Sequence, residues 1–215
     1  MQKPHIVYEY SSLLYINITN RCPNLCSFCI KTKWSMRYRG YNLALNKEPS
    51  ASEVIKAINL EFARKKYPEI VFCGYGEPLM RWDCVRDVVS SIREKKLSNV
   101  SSDIRIRIDT NGLGNLVNKR DITPEMKGLI NSVSVSLNTV DKEKWYEIMN
   151  PFDEYKEGAF ESVIDFIKKA KHNVEEVVVT AVDLKGVDTD AVKRFAFEVG
   201  VRFRMRPYLD EYEKT

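Results

Sequence analysis

The sequence predicts an α/β fold in which six parallel strands form an open, partial (β/α)6 barrel. Strand-like and helix-like segments alternate along the chain, and this alternation is typical of parallel strands joined by right-handed crossovers. Six strands are too few for a closed barrel of eight. Polar motifs also follow three of the predicted strands directly, and functional residues gather at the carboxyl ends of strands in parallel α/β folds. The length of 215 residues suits one domain over 1–215.

The elements are assigned from apolar periodicity and from turn residues. The first strand covers 13–18, an apolar run that ends at Thr19 and Asn20. The first long helix begins near Pro49, with Ser52 as its N-cap and apolar residues at helical spacing across 54–62. We expect the aromatic and basic segment 34–46 to be irregular. The later elements are strands at 70–73, 104–108, 133–137, 177–182 and 201–205, with helices at 83–96, 142–149, 159–171 and 189–199.

Composition excludes several classes of protein. Hydrophobic residues make up 44% of the chain and charged residues 30%, which is typical of a globular protein. No apolar run is long enough to span a bilayer, so we expect no membrane association. Residues 1–12 contain Glu9 and no apolar core of a signal peptide, so we expect none. Five cysteines without an export signal favour a reducing compartment, and the cytoplasm is the expected location.

Three cysteines, Cys22, Cys26 and Cys29, form a C-x3-C-x2-C motif after the first predicted strand. Three thiolates at this spacing can bind three irons of a 4Fe–4S cluster, which leaves the fourth iron open to a small molecule. A tetrahedral zinc site is the alternative, but it needs a fourth Cys or His, and neither His5 nor His172 lies at a ligand spacing. A disulfide would leave one of the three thiols unpaired.

Two further motifs end predicted strands. The second strand runs into Gly74-Tyr75-Gly76-Glu77-Pro78, and the alternating third strand ends at Asp109-Thr110-Asn111-Gly112. A plain glycine-rich turn and a plain Asn-Gly turn are the alternatives. On the following strand and its end, Ser134, Ser136 and Asn138 alternate and therefore share one face, where buried polar groups need partners.

Taken together, these motifs and the element order resemble the radical S-adenosylmethionine (SAM) superfamily over nearly the whole chain. The resemblance implies that Cys22, Cys26 and Cys29 bind a 4Fe–4S cluster and that the open iron binds the amino and carboxylate groups of SAM. It implies reductive cleavage of SAM to a 5′-deoxyadenosyl radical, which abstracts hydrogen from a substrate that the sequence does not identify. In such enzymes the cofactor performs the difficult chemistry while the protein positions it.

The resemblance also assigns SAM-binding residues to the other motifs. Phe28, directly before Cys29, matches an aromatic position that lies against adenine. Gly74, Gly76, Glu77 and Pro78 match the G-G-E-P element that supplies groups to the SAM amino group, although Tyr75 stands where a glycine is usual. Tyr75 must then either point away from SAM or narrow its pocket.

The third motif and the polar row receive roles in the same way. Asp109, Thr110 and Asn111 resemble the D-T-N-G element that contacts the methionyl end or the ribose of SAM. We expect Ser136 and Asn138 to contact SAM as well. For the two serines there is an alternative to SAM contact: a buried water could bridge the hydroxyls of Ser134 and Ser136.

The closest resemblance within the superfamily is to the TatD-family-associated radical SAM proteins. It is carried by the stretches 18–24, 72–78, 109–115 and 133–138. It implies a functional link to a TatD-family hydrolase without specifying a substrate, and radical SAM chemistry implies a reduced flavodoxin- or ferredoxin-like electron donor. The remaining alternatives are a glycyl-radical-enzyme activase, an enzyme like 7-carboxy-7-deazaguanine synthase, and a non-catalytic iron–sulfur or zinc module.

Several residues outside these motifs receive predictions of their own. Cys73 and Cys84 are expected to pack in the core. Arg204 and Arg206 alternate along the last strand and would bind a substrate anion if they point inwards, or be surface charges if they point outwards. The net charge is +4, yet residues 10–47 contain no acidic residue; a surface for an anionic substrate or an acidic partner is one interpretation, and a plain solvated loop is the alternative.

Overall fold

Strands and helices alternate in the order that the sequence predicts. The computed structural model describes residues 3–209. Its strands are β1 (Val7–Tyr10), β2 (Leu13–Ile16), β3 (Arg37–Tyr38), β4 (Tyr41–Asn42), β5 (Glu69–Phe72), β6 (Arg105–Thr110), β7 (Ser132–Ser136), β8 (Glu176–Val182) and β9 (Arg202–Arg206). Its α-helices are α1 (Ile30–Lys33), α2 (Ala51–Arg64), α3 (Trp82–Arg93), α4 (Gly114–Val117), α5 (Lys142–Met149), α6 (Asp153–Lys156), α7 (Ala159–Ala170) and α8 (Thr189–Glu198).

The strands of the main sheet are ordered β1-β2-β5-β6-β7-β8-β9. The six strands from β2 to β9 in this order are parallel, and β1 adds an antiparallel edge strand beside β2. Within residues 3–209 the two edge strands β1 and β9 do not pair, so the sheet stays open. The prediction of a partial (β/α)6 barrel is therefore confirmed.

The long helices cover one face of this sheet. Apolar side chains of alternate strand positions, such as Ile16, Phe72, Ile108, Val135 and Val179, join those of α2, α3, α7 and α8 in one buried cluster. Such alternation follows from the twofold period of a strand. The opposite face, which we call the inner face, carries the intervening positions. Near β1 and β2 these are aromatic, and from β5 to β9 they are largely charged or hydroxylic.

Two local predictions need correction. The N-cap of α2 is Ser50 and not Ser52, because Ser50 accepts the Glu53 N–H while the Glu53 side chain accepts the Ser50 N–H, a complete capping box. The segment 34–46 is not irregular throughout, because it contains the β3–β4 hairpin. Its strands are only two residues long, too short for a periodic pattern to reveal.

No helix among residues 3–209 has the length and apolar character needed to cross a membrane.

Candidate functional site

The three sequence motifs meet at the carboxyl edge of neighbouring strands. The cysteine motif follows β2, the glycine motif follows β5 and the D-T-N-G motif closes β6, and these three strands are adjacent in the sheet. Parallel pairing aligns the three strand ends, for example Ile16 beside Phe72 and Phe72 beside Ile108. Residues that are far apart in sequence are thereby brought into one site.

The cysteine loop is fastened by the segment that follows α5. Leu25 donates a backbone hydrogen bond to the Asn150 carbonyl and Ser27 to the Ile148 carbonyl, both at 2.9 Å. Phe152 donates one to the Pro23 carbonyl, also at 2.9 Å. These three backbone hydrogen bonds hold the cysteine loop in place, although the loop has little regular structure of its own.

All three motif cysteines are half-buried free thiols. Burial raises the pKa of Cys22 to about 12 and raises that of Cys26 further, while Lys31 acts to lower the pKa of Cys22. Burial therefore favours the neutral thiols of Cys22 and Cys26, and a cationic metal is what would stabilise their thiolates. Three sulfur donors on one loop fit an iron–sulfur cluster.

A site for a single metal ion needs a different arrangement of side chains from a site for a cluster. Within residues 3–209 no three His, Cys, Asp or Glu side chains are grouped to hold one metal ion. The thiols of a cubane each bind a separate iron, so they need not converge on one point.

Glu77 joins all three motifs. Its buried carboxylate accepts hydrogen bonds from the Thr110 hydroxyl and the Asn111 N–H, both at 2.7 Å. It also accepts the Leu79 N–H at 2.9 Å, and its own N–H donates to the Arg21 carbonyl at 2.8 Å. Burial raises the pKa of Glu77 to about 7, while the donated bonds act to lower it.

The two glycines of the second motif allow close contact with the segment that leads from β2 into the cysteine motif. A Cβ on Gly76 would lie 2.3 Å from the Thr19 carbonyl oxygen and 2.6 Å from that of Arg21. A Cβ on Gly74 would lie 2.4 Å from Asn17 Oδ1. Only glycine permits such an approach, so these positions are fixed by packing within the protein.

Tyr75 is turned away from this junction. Its buried ring joins the inner-face aromatic cluster that contains Tyr8 and Tyr15, and its hydroxyl donates to the Arg37 carbonyl at 2.6 Å. The residue that departs from the expected glycine therefore anchors the β3–β4 hairpin.

The D-T-N-G motif is divided between the two faces of the sheet. Thr110 and Asn111 are buried at Glu77, and the Asn111 amide Nδ2 lies 3.8 Å from Cys22 Sγ. Asp109 lies on the inner face, where its carboxylate accepts the Arg107 Nε–H at 2.9 Å. The motif thus contacts the cysteine loop through Asn111 and the inner face through Asp109.

The remaining predicted site residues lie nearby in different settings. Phe28 is partly buried against the margin of the core, and Pro78 opens the 3-10 turn Pro78–Arg81. The Ser136 hydroxyl accepts a hydrogen bond from Arg206 at 2.9 Å. Asn138 is fully buried, and its Oδ1 accepts the Val182 N–H at 3.1 Å.

The side-chain nitrogen of Asn138 also makes its contact within the protein interior. Its Nδ2 lies 3.1 Å from Met149 Sδ, and Met149 Sδ lies 3.9 Å from Cys26 Sγ. Its left-handed φ of 67° turns the chain after β7. These contacts give Asn138 a supporting position behind the cysteine loop.

Sequence reasoning did not foresee the charged network of the inner face. Arg107 pairs with Glu69 and Asp109, both at 2.9 Å, and Arg105 pairs with Glu69 and Glu176. Cys73 faces this network: Asp109 raises its pKa, and Arg107 and Arg206 act to lower it, although burial has the largest effect. The strict alternation of Ile and Arg in 104–108 was the available signal, because it puts the arginines on the face opposite the isoleucines.

Cys84 lies in the helix-side core, as expected, whereas Cys73 packs beside the inner-face aromatic cluster. Both cysteines therefore pack against apolar clusters, as predicted, and Cys73 additionally faces ionised side chains of the inner face.

The inner face also borders a cavity of about 260 Å³. Glu69, Arg107, Ser134, Glu176 and Arg204 are among its lining residues. A larger cavity of about 580 Å³ lies at the amino ends of β7 and β8, on the edge opposite the motifs, and contains no predicted site residue.

Comparison with protein families identifies the kind of domain. The model of the family described as "Radical SAM superfamily" matches residues 16–199. No curated protein matches the chain.

Solved structures share the fold. A radical SAM methyltransferase from Sphaerobacter thermophilus matches with a TM-score of 0.60 at 15% identity, over 94% of this chain and 68% of its own. SuiB from Streptococcus suis matches at 0.61 and 18%, over 94% and 42%. A methylornithine synthase matches at 0.54 and 16%, over 91% and 52%. The chain thus spans about half the length, or less, of the last two.

Proposed function

Because the chain belongs to the radical SAM superfamily, we propose that the carboxyl edge of β2, β5 and β6 is its cluster and SAM site. Members of this superfamily bind a 4Fe–4S cluster and SAM, and this chain is a radical SAM enzyme. When bound, these cofactors supply a 5′-deoxyadenosyl radical for hydrogen abstraction. One observation carries the proposal: Glu77 hydrogen-bonds the cysteine loop, the glycine motif and the D-T-N-G motif into a single unit.

Cys22, Cys26 and Cys29 would hold the cluster, and the strand ends beside them would hold SAM. The half-buried backbone groups around Gly74 and Gly76 and the Asp109 carboxylate, which also pairs with Arg107, would serve this purpose, and Phe28 would offer an apolar surface for adenine. Ser136 lies on the same inner face, beside Arg206. Glu77, Thr110 and Asn138 have their polar atoms bonded within the protein, so we assign them to positioning the site.

Asn111 has the most direct positioning role. Its Oδ1 accepts the Leu113 N–H at 2.9 Å, which fixes the direction of its amide, and its Nδ2 points at Cys22 Sγ. An N–H donated to a cluster thiolate is one of the levers by which a protein tunes an iron–sulfur cluster.

Anaerobic reconstitution with iron and sulfide tests the proposal. We expect one oxygen-sensitive 4Fe–4S cluster per chain, whose electron paramagnetic resonance spectrum changes on adding SAM. The reduced protein should release methionine and 5′-deoxyadenosine. Unchanged spectra at saturating SAM, with no 5′-deoxyadenosine, would instead favour a non-catalytic iron–sulfur module.

Cysteine variants provide matched controls for the cluster. Replacing Cys22, Cys26 and Cys29 together by Ala should abolish iron binding. Cys84→Ala, which removes a buried thiol on α3, should leave the iron content unchanged. Full iron content in the triple variant would contradict the assignment.

The finer assignments extend this proposal. The stretches 18–24, 72–78, 109–115 and 133–138 support membership of the TatD-associated subgroup, and with it a link to a TatD-family hydrolase. A reduced flavodoxin- or ferredoxin-like protein would supply electrons, and the cytoplasm would provide the reducing conditions that the cluster thiols need. An activase or a 7-carboxy-7-deazaguanine-synthase-like enzyme would share the same site, and identification of the molecule that loses hydrogen separates them.

A further inference from the structure

The arginines of the inner face differ in their partners. Arg105, Arg107 and Arg202 each lie within 4 Å of a carboxylate, from Glu69, Asp109 or Glu176. Within residues 3–209, Arg204 and Arg206 form no such ion pair. Their guanidinium groups donate instead to serine hydroxyls, Arg204 to Ser134 at 3.3 Å and Arg206 to Ser136 at 2.9 Å.

Arg206 is the less solvated of these two arginines. Its Nε is fully buried and has no hydrogen-bond partner. Burial lowers the pKa of Arg206, which reports the cost of holding a cation there, while Asp109 and Cys73 act in the opposite direction. A buried charge without a paired anion is costly, so an arrangement of this kind is stable when a ligand supplies the anion.

The two arginine–serine pairs lie in a row along the inner face. Arg204 pairs in register with Thr180, and Arg206 with Val182, one step nearer the carboxyl edge. Two residues along a strand correspond to about 6.6 Å. Arg206 is the one within electrostatic reach of Cys26, whereas Arg204 is exposed and lines the 260 Å³ cavity with Ser134.

We propose that Arg204 and Arg206, with Ser134 and Ser136, bind an oxyanion of the substrate, a carboxylate or a phosphate, beside the SAM site. The inference rests on the proposed function for the position of SAM. The glycine and D-T-N-G motifs lie at the ends of β5 and β6, which are four and three positions away from β9 in the sheet. SAM held at those motifs would leave the arginine–serine row to a second molecule, and the 260 Å³ cavity lined by Arg204 and Ser134 provides room for it.

The chemistry defines the substrate class. Guanidinium groups bind carboxylates and phosphates through paired N–H donors, and serine hydroxyls can add a further donor. A substrate with one such group would be fixed at the row, with its neutral part directed either to the cavity or to the carboxyl edge. Uncharged substrates would leave Arg206 without an anion.

Isothermal titration calorimetry on the cluster-loaded protein tests the site without turnover. Sodium phosphate and sodium succinate are titrated separately, each with and without saturating SAM. We expect one oxyanion per chain to bind in the presence of SAM, and the stronger of the two ligands distinguishes phosphate from carboxylate. Arg204→Gln and Arg206→Gln should each weaken binding about tenfold or more, because each removes a charged hydrogen-bonding group.

Arg105→Gln is the matched control. Arg105 lies on the same face of the sheet, but it is outside the lining of the cavity and pairs with Glu69 and Glu176, so its loss should leave oxyanion binding within about twofold. Arg206→Lys and Ser136→Ala, checked by thermal unfolding, retain the positive charge and should weaken binding less than Arg206→Gln.

Two results would overturn the inference. One is the absence of binding by either oxyanion. The other is competition between phosphate and SAM, together with a loss of SAM affinity in Arg206→Gln as large as the loss of phosphate affinity. That result would make the arginine–serine row part of the SAM site. Neither result alters the spectroscopic test of the cluster, so failure of this site and failure of the proposed function are distinguishable.

Discussion

At the scale of single residues, the site depends on how closely two backbone segments approach. Gly76 lies against the Thr19 and Arg21 carbonyls, and the Glu77 N–H bonds to the second of these. The cysteine loop has few backbone bonds of its own, so its position relative to β5 relies on this contact. Position 76 therefore requires glycine because the two carbonyl groups leave no room for a side chain.

Gly76→Ala tests that dependence. The added Cβ would lie within 2.6 Å of two carbonyl oxygens, so the loop or β5 must shift. We expect lower stability, by about 1–3 kcal/mol as for overpacking, and reduced iron content after reconstitution. Thermal unfolding and iron analysis measure the two effects.

Gly128→Ala is the control for this substitution. Its Cβ would meet nothing within 4 Å, so its cost is confined to the left-handed backbone with φ +75°. It should leave the iron content unchanged. Equal iron content in Gly76→Ala and wild type would show that the loop does not depend on the close approach.

At the scale of elements, the start of α2 shows why helix boundaries are hard to read. Ser50 and Ser52 both precede the apolar period, and both are good N-cap residues. The deciding feature is Glu53, which lies three residues after Ser50 and completes a capping box. Apolar periodicity alone could not choose between the two serines.

Ser50→Ala should therefore destabilise the protein, and Ser52→Ala should not. Loss of a capping hydrogen bond costs about 1 kcal/mol, which corresponds to a decrease of about 2–4 °C in Tm for a chain of this size. Urea or thermal unfolding followed by circular dichroism provides the measurement. A larger loss in Ser52→Ala would restore the boundary that periodicity suggested.

The same comparison explains what the sequence could and could not predict. Apolar runs or alternating residues marked each of the six parallel strands, and the helix over Lys142–Met149 matches its predicted range. The predicted cysteine, glycine and D-T-N-G motifs do meet at one edge, because parallel strands align their ends. What could not be foreseen is which polar atoms satisfy one another, such as Glu77 with Thr110, since those contacts join residues 33 positions apart.

The sequence also could not predict which face of the sheet a side chain points to where the burial pattern was ambiguous. In β9, polar and apolar residues alternate, but the pattern alone left open whether Arg204 and Arg206 or Phe203 and Met205 face inwards. The register with β8 and the bonds to Ser134 and Ser136 settle it. Contacts with neighbouring strands were therefore needed to decide which alternate residues of β9 face inwards.

At the scale of the whole molecule, acidic residues are distributed unevenly along the chain. Residues 10–47 contain no Asp or Glu and include the cysteine loop. Part of this charge is neutralised from outside the segment, since Arg21 pairs with Glu48 at 2.7 Å. Lys33 and Arg37 are exposed, and they lie shortly after Cys29 in the chain. A positive surface of this kind speeds encounter more than it strengthens the final complex.

We therefore expect cluster reduction by an acidic donor to be salt-dependent. With reduced flavodoxin as the donor, the second-order rate constant should decrease by roughly tenfold on raising salt, because exposed charges are screened over about 8 Å at physiological ionic strength. Replacing Lys33 and Arg37 by Glu should lower the rate at low salt and reduce its salt dependence. Stopped-flow spectroscopy of the cluster gives the rate. Lys31 is left in place, because its ammonium binds the Asn20 carbonyl and supports the cysteine loop.

Lys168→Glu combined with Lys193→Glu is the control, because it makes the same change in net charge at two exposed positions on other elements, α7 and α8. It should alter the rate constant much less than the Lys33 and Arg37 pair of substitutions. Reduction by a small chemical reductant should be nearly the same in the wild type and in both double variants. If the two double variants slow reduction by flavodoxin to the same extent, net charge rather than the acid-free segment governs encounter, and the donor docks elsewhere on the molecule.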